Sequence, residues 1–207
     1  MKAHLLAVWF FSCMSCSTAL AAQAQTVPSR AIWIWEGESY SMVEKPAVAE
    51  EAIDFMKKNG VDTLYLYADA YQARNLIVES PALYRSFIEY AHRRGMRVYA
   101  LLGSAYLNTE AYILPERRAD AQAMFQRVLT YNQAAPSAAR FDGINMDIEP
   151  HILDAWNENT RLQLLRQFLD MSAALMQLKK VYGVELSVGP AIPFWLDGIE
   201  LEWQGQR

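Results

Sequence analysis

The sequence predicts an α/β fold of the (β/α)8 TIM-barrel type that is incomplete, with about five βα units present. Short apolar runs rich in β-forming residues alternate with segments of helical period, which is typical of a parallel α/β architecture. Gly60, Gly95 and Gly183 each stand where a helical segment gives way to a strand. A complete eight-stranded barrel typically needs ~250 residues. This chain has 207 residues, so we expect a partial barrel.

The predicted elements follow one another along a single domain, without a low-complexity linker. Apolar stripes from Ala49 to Met56 and from Tyr84 to Ala91 predict two helices that pack on the sheet. Two further helices are predicted over residues 115–134 and 158–182. The predicted strands cover residues 31–36, 62–68, 97–102, 143–149 and 185–189.

The first 24 residues have the order of a secretory signal peptide. Lys2 is followed by an apolar run over residues 5–11 and then by small residues, with Ala21 or Ala24 at the cleavage position. The apolar run is shorter than the ~20 residues that cross a bilayer, so no transmembrane span is predicted. We therefore expect an exported protein, periplasmic or extracellular, whose barrel domain covers residues 25–207.

Both cysteines of the chain, Cys13 and Cys16, fall before the predicted cleavage sites. This position argues against a redox or metal role for their C-x-x-C spacing. A lipid anchor at Cys16 stays open as an alternative, although the residues before it lack the leucine expected of a lipoprotein signal.

The charge balance disfavours nucleic acid as a partner. The net charge is −4, from 19 Lys and Arg against 23 Asp and Glu, and no basic run is present. Serine-hydrolase, P-loop and dinucleotide motifs are also missing from the sequence. No cofactor and no metal are therefore predicted.

The predicted fourth strand carries the candidate catalytic residues. Because side chains alternate along a strand, Asn145, Asp147 and Glu149 share one face, while the apolar residues between them share the other. Two carboxylates at i and i+2 lie roughly 6 to 7 Å apart at the backbone. Their repulsion disfavours double ionisation, so one of them keeps a proton to higher pH. We expect Glu149 to be the acid and Asp147 its partner.

Two other readings of this strand stay open. Acidic residues at strand ends often cap a helix or pair with arginine, which would make the cluster structural. Alternatively, Asp147, Glu149 and His151 continue one alternation and could ligate a metal, although Pro150 interrupts the strand between them.

Residues 141–149, Phe-Asp-Gly-Ile-Asn-Met-Asp-Ile-Glu, resemble the D-G-x-D-x-D-x-E signature of family 18 glycoside hydrolases, the chitinases and endo-β-N-acetylglucosaminidases. The resemblance implies that Glu149 protonates the leaving oxygen and that Asp147 orients the substrate's N-acetyl group. It also implies that Asp142 and Asn145 support Asp147. Asn145 departs from the family pattern, which has an aspartate there.

Aromatic and polar residues near the predicted cleft complete the candidate site. Trp35 and Glu36 end the first predicted strand, and Tyr67 lies near the end of the second. His151 and Trp156 follow the fourth strand in a predicted loop. We expect these five residues to bind substrate, although core packing is an alternative for the aromatic ones.

Together these features predict an exported glycoside hydrolase-like protein that cleaves a polysaccharide or glycan containing N-acetylhexosamine. One alternative is a non-catalytic carbohydrate-binding barrel or an inactive fragment. Another is a metal-dependent glycan hydrolase or deacetylase.

Overall fold

The computed structural model describes residues 29–206, which form an α/β unit built on one parallel sheet. The predicted signal peptide and Cys16 lie outside these residues. The strands are β1 (Ala31–Ile34), β2 (Thr63–Tyr67), β3 (Arg97–Leu102), β4 (Gly143–Met146) and β5 (Ser187–Pro190). The helices are α1 (Glu36–Glu44), α2 (Pro46–Lys58), α3 (Leu76–Glu79), α4 (Pro81–Arg93), α5 (Arg118–Ala134) and α6 (Arg161–Tyr182).

The five strands lie side by side in chain order, and every neighbouring pair is parallel. This confirms the predicted α/β class and the five strand positions. A helix connects each strand to the next, as a parallel crossover requires. All carboxyl ends of the strands therefore meet at one edge of the sheet.

The helix ends follow the predicted chemistry at three joints. Gly60, Gly95 and Gly183 have φ of 72°, 70° and 60°, in the left-handed region where glycine ends a helix without steric cost. Each lies between a helix and the strand that follows it. The sequence therefore predicted where β2 and β3 begin.

The main departure is helix α1. The first strand ends at Ile34, and Glu36 already begins a helix that was not predicted. This helix has no clear apolar stripe in the sequence, but Tyr40, Met42 and Val43 are buried in it. Tertiary packing rather than local pattern stabilises it.

The two faces of the sheet differ in character. One registered row of residues is apolar and mostly buried: Ile34, Leu66, Ala100, Ile144 and Val188. The neighbouring row contains Trp33, Tyr65, Tyr99, Gly143 and Ser187. In this second row the rings of Trp33 and Tyr65 lie 6.0 Å apart, and those of Tyr65 and Tyr99 lie 5.4 Å apart.

Gly143 continues the second row beside these rings. A Cβ at this position would lie 2.3 Å from the Tyr99 ring and 2.7 Å from the Ser187 carbonyl oxygen. Glycine here lets Tyr99 lie flat across β4 at the start of the strand that carries the carboxylates.

Candidate functional site

A cleft of about 330 Å³ opens at the carboxyl ends of the strands. In parallel α/β folds this edge is where binding and catalytic residues gather. Four carboxylates lie in its wall, and among residues 29–206 no lysine or arginine lines it. The lining residues are Trp35, Glu36, Ser104, Ala105, Thr109, Glu110, Asp147, Glu149 and Ile152.

Asp147 and Glu149 face this cleft together. Ile148 between them is fully buried on the opposite side, as the alternation predicts. Regular pairing of β4 ends at Met146, but the Asp147 amide still donates to the Leu102 carbonyl oxygen at 2.6 Å. The backbone therefore stays extended and in register up to the carboxylate pair.

The environment of Asp147 favours its protonated form. Burial is the main cause, and the negative charge of Glu149 adds to it, so that the pKa of Asp147 rises to about 6. His151 has the opposite effect and holds this pKa down. The sequence predicted that Glu149 is the acid, whereas in the structure it is Asp147 whose pKa is raised by burial.

Glu36 forms the opposite side of the cleft. It begins helix α1 directly after β1, and its carboxylate accepts a short hydrogen bond from the Ser104 hydroxyl. Ser104 follows β3 and is itself held by its amide, which donates to Thr109 Oγ1 at 2.7 Å. These two hydrogen bonds, through Ser104 and Thr109, hold Glu36 on the opposite side of the cleft from the carboxylate pair.

Three aromatic rings cluster beside Glu149 but are not part of the cleft lining. His151 Nε2 lies 3.8 Å from Glu149 Oε1. The His151 ring contacts Trp195 at 5.2 Å and Trp156 at 6.4 Å between centroids, and the two indoles lie 6.1 Å apart. Trp195 belongs to the segment after β5, so tertiary packing brings a distant part of the chain to the site.

The structure brings several predicted site residues together and places others elsewhere. Trp35 lines the cleft with 41% of its surface exposed. Asn145 lies on the carboxylate face of β4, and its Oδ1 is buried with no hydrogen-bond partner among the described residues. His151 and Trp156, which were predicted to bind substrate, do not line the cleft; Trp156 contacts the His151 ring, and His151 lies beside Glu149.

Asp142 does not support Asp147 as expected. It precedes β4, and one of its oxygens, Oδ2, accepts bonds from His92 Nε2 at 3.0 Å and from the Val98 amide at 2.7 Å. These bonds lie at the amino end of the strand, away from the cleft. Asp142 ties the end of α4 to the sheet.

Tyr67 lies behind the cleft wall instead of at its surface. Its side chain is fully buried, and its hydroxyl donates to the Ala70 carbonyl oxygen at 2.8 Å. The sequence predicted that Tyr67 binds substrate, but it could not show that Tyr40 of helix α1 packs against the Tyr67 ring, with centroids 6.5 Å apart.

Sequence reasoning missed Ser104, Thr109, Glu110 and Trp195. Ser104 could have been found, because it follows β3 at the carboxyl edge where Asp147 and Glu149 also lie. Trp195 gave no local signal, since only packing of the segment after β5 brings it near His151.

Residues 29–206 contain no group of three or more His, Cys, Asp or Glu side chains arranged to hold a metal ion. Nor does any helix in this range have the length and apolar character to cross a bilayer.

A larger cleft of about 680 Å³ lies between α6 and the segment after β5. Its wall is mostly apolar and includes Leu165, Phe168 and Leu196. It lacks the convergent polar groups of the carboxylate cleft, so the smaller cleft is the better candidate for chemistry.

The fold and the site define an α/β protein with an acidic cleft at the carboxyl edge of a parallel sheet. No family model matches the chain, and no solved structure matches it. The chain is similar to a protein named exonuclease subunit 1 from Enterobacteria phage T4, with 25% identity over 112 residues. The match covers 54% of this chain and 32% of the phage protein, about a third of its length.

This comparison overturns the predicted function. The matched protein is named as an exonuclease subunit, not as a protein that acts on glycans. On this finding the prediction of a hydrolase that cleaves N-acetylhexosamine-containing glycans is wrong, and we do not retain the carbohydrate-based alternatives. Of the motif at residues 141–149, two residues line the cleft, Asp147 and Glu149.

Proposed function

We propose that the cleft is a hydrolytic active site in which Asp147 and Glu149 carry out general acid–base catalysis. The observation that carries this proposal is the raised pKa of Asp147 beside a second carboxylate in one cleft. A carboxylic acid with a pKa of about 6 donates a proton near neutral pH much more readily than an ordinary aspartate does. Perturbed carboxylates in clefts are frequent at catalytic sites.

The two carboxylates have distinct roles in this proposal. Asp147, which is the deeper of the two, donates its proton to the leaving oxygen. Glu149 accepts a proton from the attacking water, because it lies nearer the mouth beside His151. Glu36, held by Ser104, faces them across the cleft and orients the bound group.

A second, more specific candidate function is hydrolysis of a phosphodiester bond in nucleic acid. The similarity to the phage exonuclease subunit favours it. The four carboxylates in the cleft wall would repel a phosphate. A phosphodiester substrate would therefore need a counter-ion in solution, so its assay requires arms with and without a divalent cation. The expectation that nucleic acid is not a partner stays an open prediction.

We also infer that the sheet belongs to a (β/α)8-type barrel. The strand order follows the chain from β1 to β5, as consecutive barrel strands do. A doubly wound sheet would instead reverse its strand order at a switch point. The resemblance to family 18 supports this architecture, and export stays a prediction from residues 1–24.

The test uses the full chain with four substrates: 4-nitrophenyl acetate, 4-nitrophenyl phosphate, bis(4-nitrophenyl) phosphate, and end-labelled linear DNA in duplex and single-stranded form. Each substrate is assayed in EDTA and, separately, in excess Mg²⁺ or Mn²⁺. We expect turnover of at least one substrate, and a loss of about 10²-fold or more in Glu149→Gln and in Asp147→Asn.

The matched control is Asp120→Asn, because Asp120 is an exposed acid on α5 that pairs with Arg117 away from the cleft. Its turnover should equal that of the unaltered protein. If no substrate is cleaved, or if Glu149→Gln retains full turnover, the proposed catalysis is refuted. Cleavage of the carboxylic ester alone would refute the phosphodiester candidate but not acid–base catalysis.

A further inference from the structure

His151 is the one histidine within reach of the carboxylate pair among the described residues. Its Nε2 lies 3.8 Å from Glu149 Oε1, which is within range of an ion pair when the imidazole is protonated. The other ring nitrogen, Nδ1, is buried and has no hydrogen-bond partner among the described atoms. The imidazole therefore directs its polar interaction toward Glu149.

Two tryptophans fix the His151 ring. Trp195 packs against it at an interplanar angle of 87°, and Trp156 packs at 78°. Edge-to-face contacts of this kind favour one ring orientation. Trp195 comes from the segment after β5 and Trp156 from the segment before α6, so two separate parts of the chain hold one imidazole.

We propose that His151 is a positioning residue for the carboxylate pair: it orients Glu149 through Nε2 and offsets part of the repulsion between the two carboxylates. This inference rests on the proposed acid–base function and adds a third member to the site. The roles are separate, because His151 acts through the two carboxylates without transferring a proton to substrate.

The electrostatics of the cluster support this role. Glu149 raises the pKa of Asp147, and His151 lowers it. A positive imidazole beside Glu149 offsets part of the repulsion that Asp147 feels. Without His151 that repulsion acts alone, and Asp147 should hold its proton to higher pH.

Other charged groups on the surrounding elements do not replace His151. Glu36 and Glu110 in the cleft wall are acids, so neither supplies a positive charge. Arg161, at the start of α6, forms an ion pair with Glu158 at 2.9 Å. On the side of Trp156 and Trp195, the neighbouring acids Asp154 and Asp197 are also negative.

The experiment follows the side-chain carboxyl of Asp147 by ¹³C NMR between pH 4 and pH 9, the interval that surrounds its pKa of about 6. We expect His151→Gln to shift the Asp147 midpoint upward by roughly half a pH unit or more. His151→Lys should return the midpoint toward the wild-type value, because it restores a positive charge. An unchanged or lowered midpoint in His151→Gln overturns the proposal.

The matched control is His92→Gln. His92 also pairs with a carboxylate, Asp142, but it does so at the opposite end of β4. This variant should leave the Asp147 midpoint where it is, and an equal shift in both variants would overturn a specific role for His151. If His151→Gln does not fold, His151→Asn provides the same measurement with a smaller side chain.

The titration needs no substrate, so the two proposals fail differently. An ordinary Asp147 midpoint in the unaltered protein would refute the proposed function itself. An Asp147 midpoint that is raised in the unaltered protein but does not change in His151→Gln would refute only the inference about His151. If turnover is found, His151→Gln should also shift the alkaline limb of the pH profile of kcat/KM to higher pH, in parallel with the NMR midpoint of Asp147.

Discussion

The backbone of Gly103 lies directly against the backbone of Asp147. A Cβ at position 103 would lie 2.1 Å from the carbonyl oxygen of Asp147, and the φ of Gly103 is 132°. Both observations require glycine at this point. The close contact between the end of β3 and the end of β4 thus determines where the Asp147 carboxyl lies.

Gly103→Ala should therefore lower the free energy of unfolding by about 2–4 kcal/mol, since it adds a backbone clash to an unfavourable φ. It should also displace Asp147. Urea unfolding measures the first effect, and Asp147 NMR measures the second. Gly189→Ala on β5 is the control, because a Cβ there meets nothing within 4 Å. Equal unfolding midpoints for the two variants would contradict the argument.

Asp147→Asn should stabilise the protein above pH 6. The folded pKa of about 6 exceeds the ordinary value of 3.8, so ionisation of Asp147 costs folding free energy. This cost is absent below about pH 4, grows between pH 4 and pH 6, and is complete above that. The expected gain is about 1–3 kcal/mol at pH 7.5, after allowance for the partial exposure of the side chain.

The measurement is urea unfolding of Asp147→Asn and of the unaltered protein at pH 4, 5 and 7.5. The difference between them should approach zero at the lowest pH. A variant that is less stable at pH 7.5 would show that Asp147 is a structural acid with favourable contacts. Stabilisation together with lost turnover would be the signature of a functional residue.

Arg127 should contribute strongly to stability through Asp69. Only 1% of the Asp69 surface is exposed, and its Oδ1 accepts from Arg127 at 2.5 Å. Removing the arginine would leave a buried carboxylate without its cation, so Arg127→Ala should cost about 3–5 kcal/mol. Arg117→Ala, which removes an exposed pair with Asp120, should cost no more than about 1 kcal/mol. Similar losses of unfolding free energy in Arg127→Ala and Arg117→Ala would contradict the burial of the Asp69 carboxylate.

The pair of His92 and Asp142 should stabilise the fold over a limited pH window. Its bond to Asp142 raises the pKa of His92 from 6.5, although burial opposes this. Burial alone would raise the pKa of Asp142, but the bonds from His92 and the Val98 amide lower it below 3.8. The contribution of His92 is complete below pH 6.5 and is lost as the pH rises through its folded pKa. That of Asp142 is present above pH 3.8 and is lost in stronger acid.

His92→Gln should therefore be destabilised by about 1 kcal/mol between pH 4 and pH 6.5, and by less at pH 9. Thermal unfolding at pH 5.5 and pH 9 measures this difference. A larger loss at pH 9 than at pH 5.5 would show that the hydrogen bonds of the neutral ring, not its charge, hold α4 to the sheet.

The sequence determined much of the fold because its signals are local. Helical stripes, glycine at the helix ends and the alternation along β4 depend on neighbouring residues, and the structure confirms them at Gly60, Gly95 and Ile148. Helix α1 had no such stripe and was missed. The sequence also placed Tyr67 near the end of a strand but could not show that its side chain is buried.

The sequence predicted only those site residues that lie at the carboxyl end of a strand. Asp147, Glu149 and Trp35 reach the cleft because each lies at the carboxyl edge of the sheet. Asp142 belongs to the other end of β4, which a short motif does not reveal. The wrong prediction of glycan cleavage has a related cause. Paired carboxylates indicate proton transfer, which many reactions use, and they do not specify the bond that is broken.

The contact of His151 with Trp156 and Trp195 gives the site an intrinsic optical signal. The emission of an indole depends on the groups packed against it, so a molecule bound beside Glu149 that moves the His151 ring should change tryptophan fluorescence. Occupancy of the cleft could then be followed without any label.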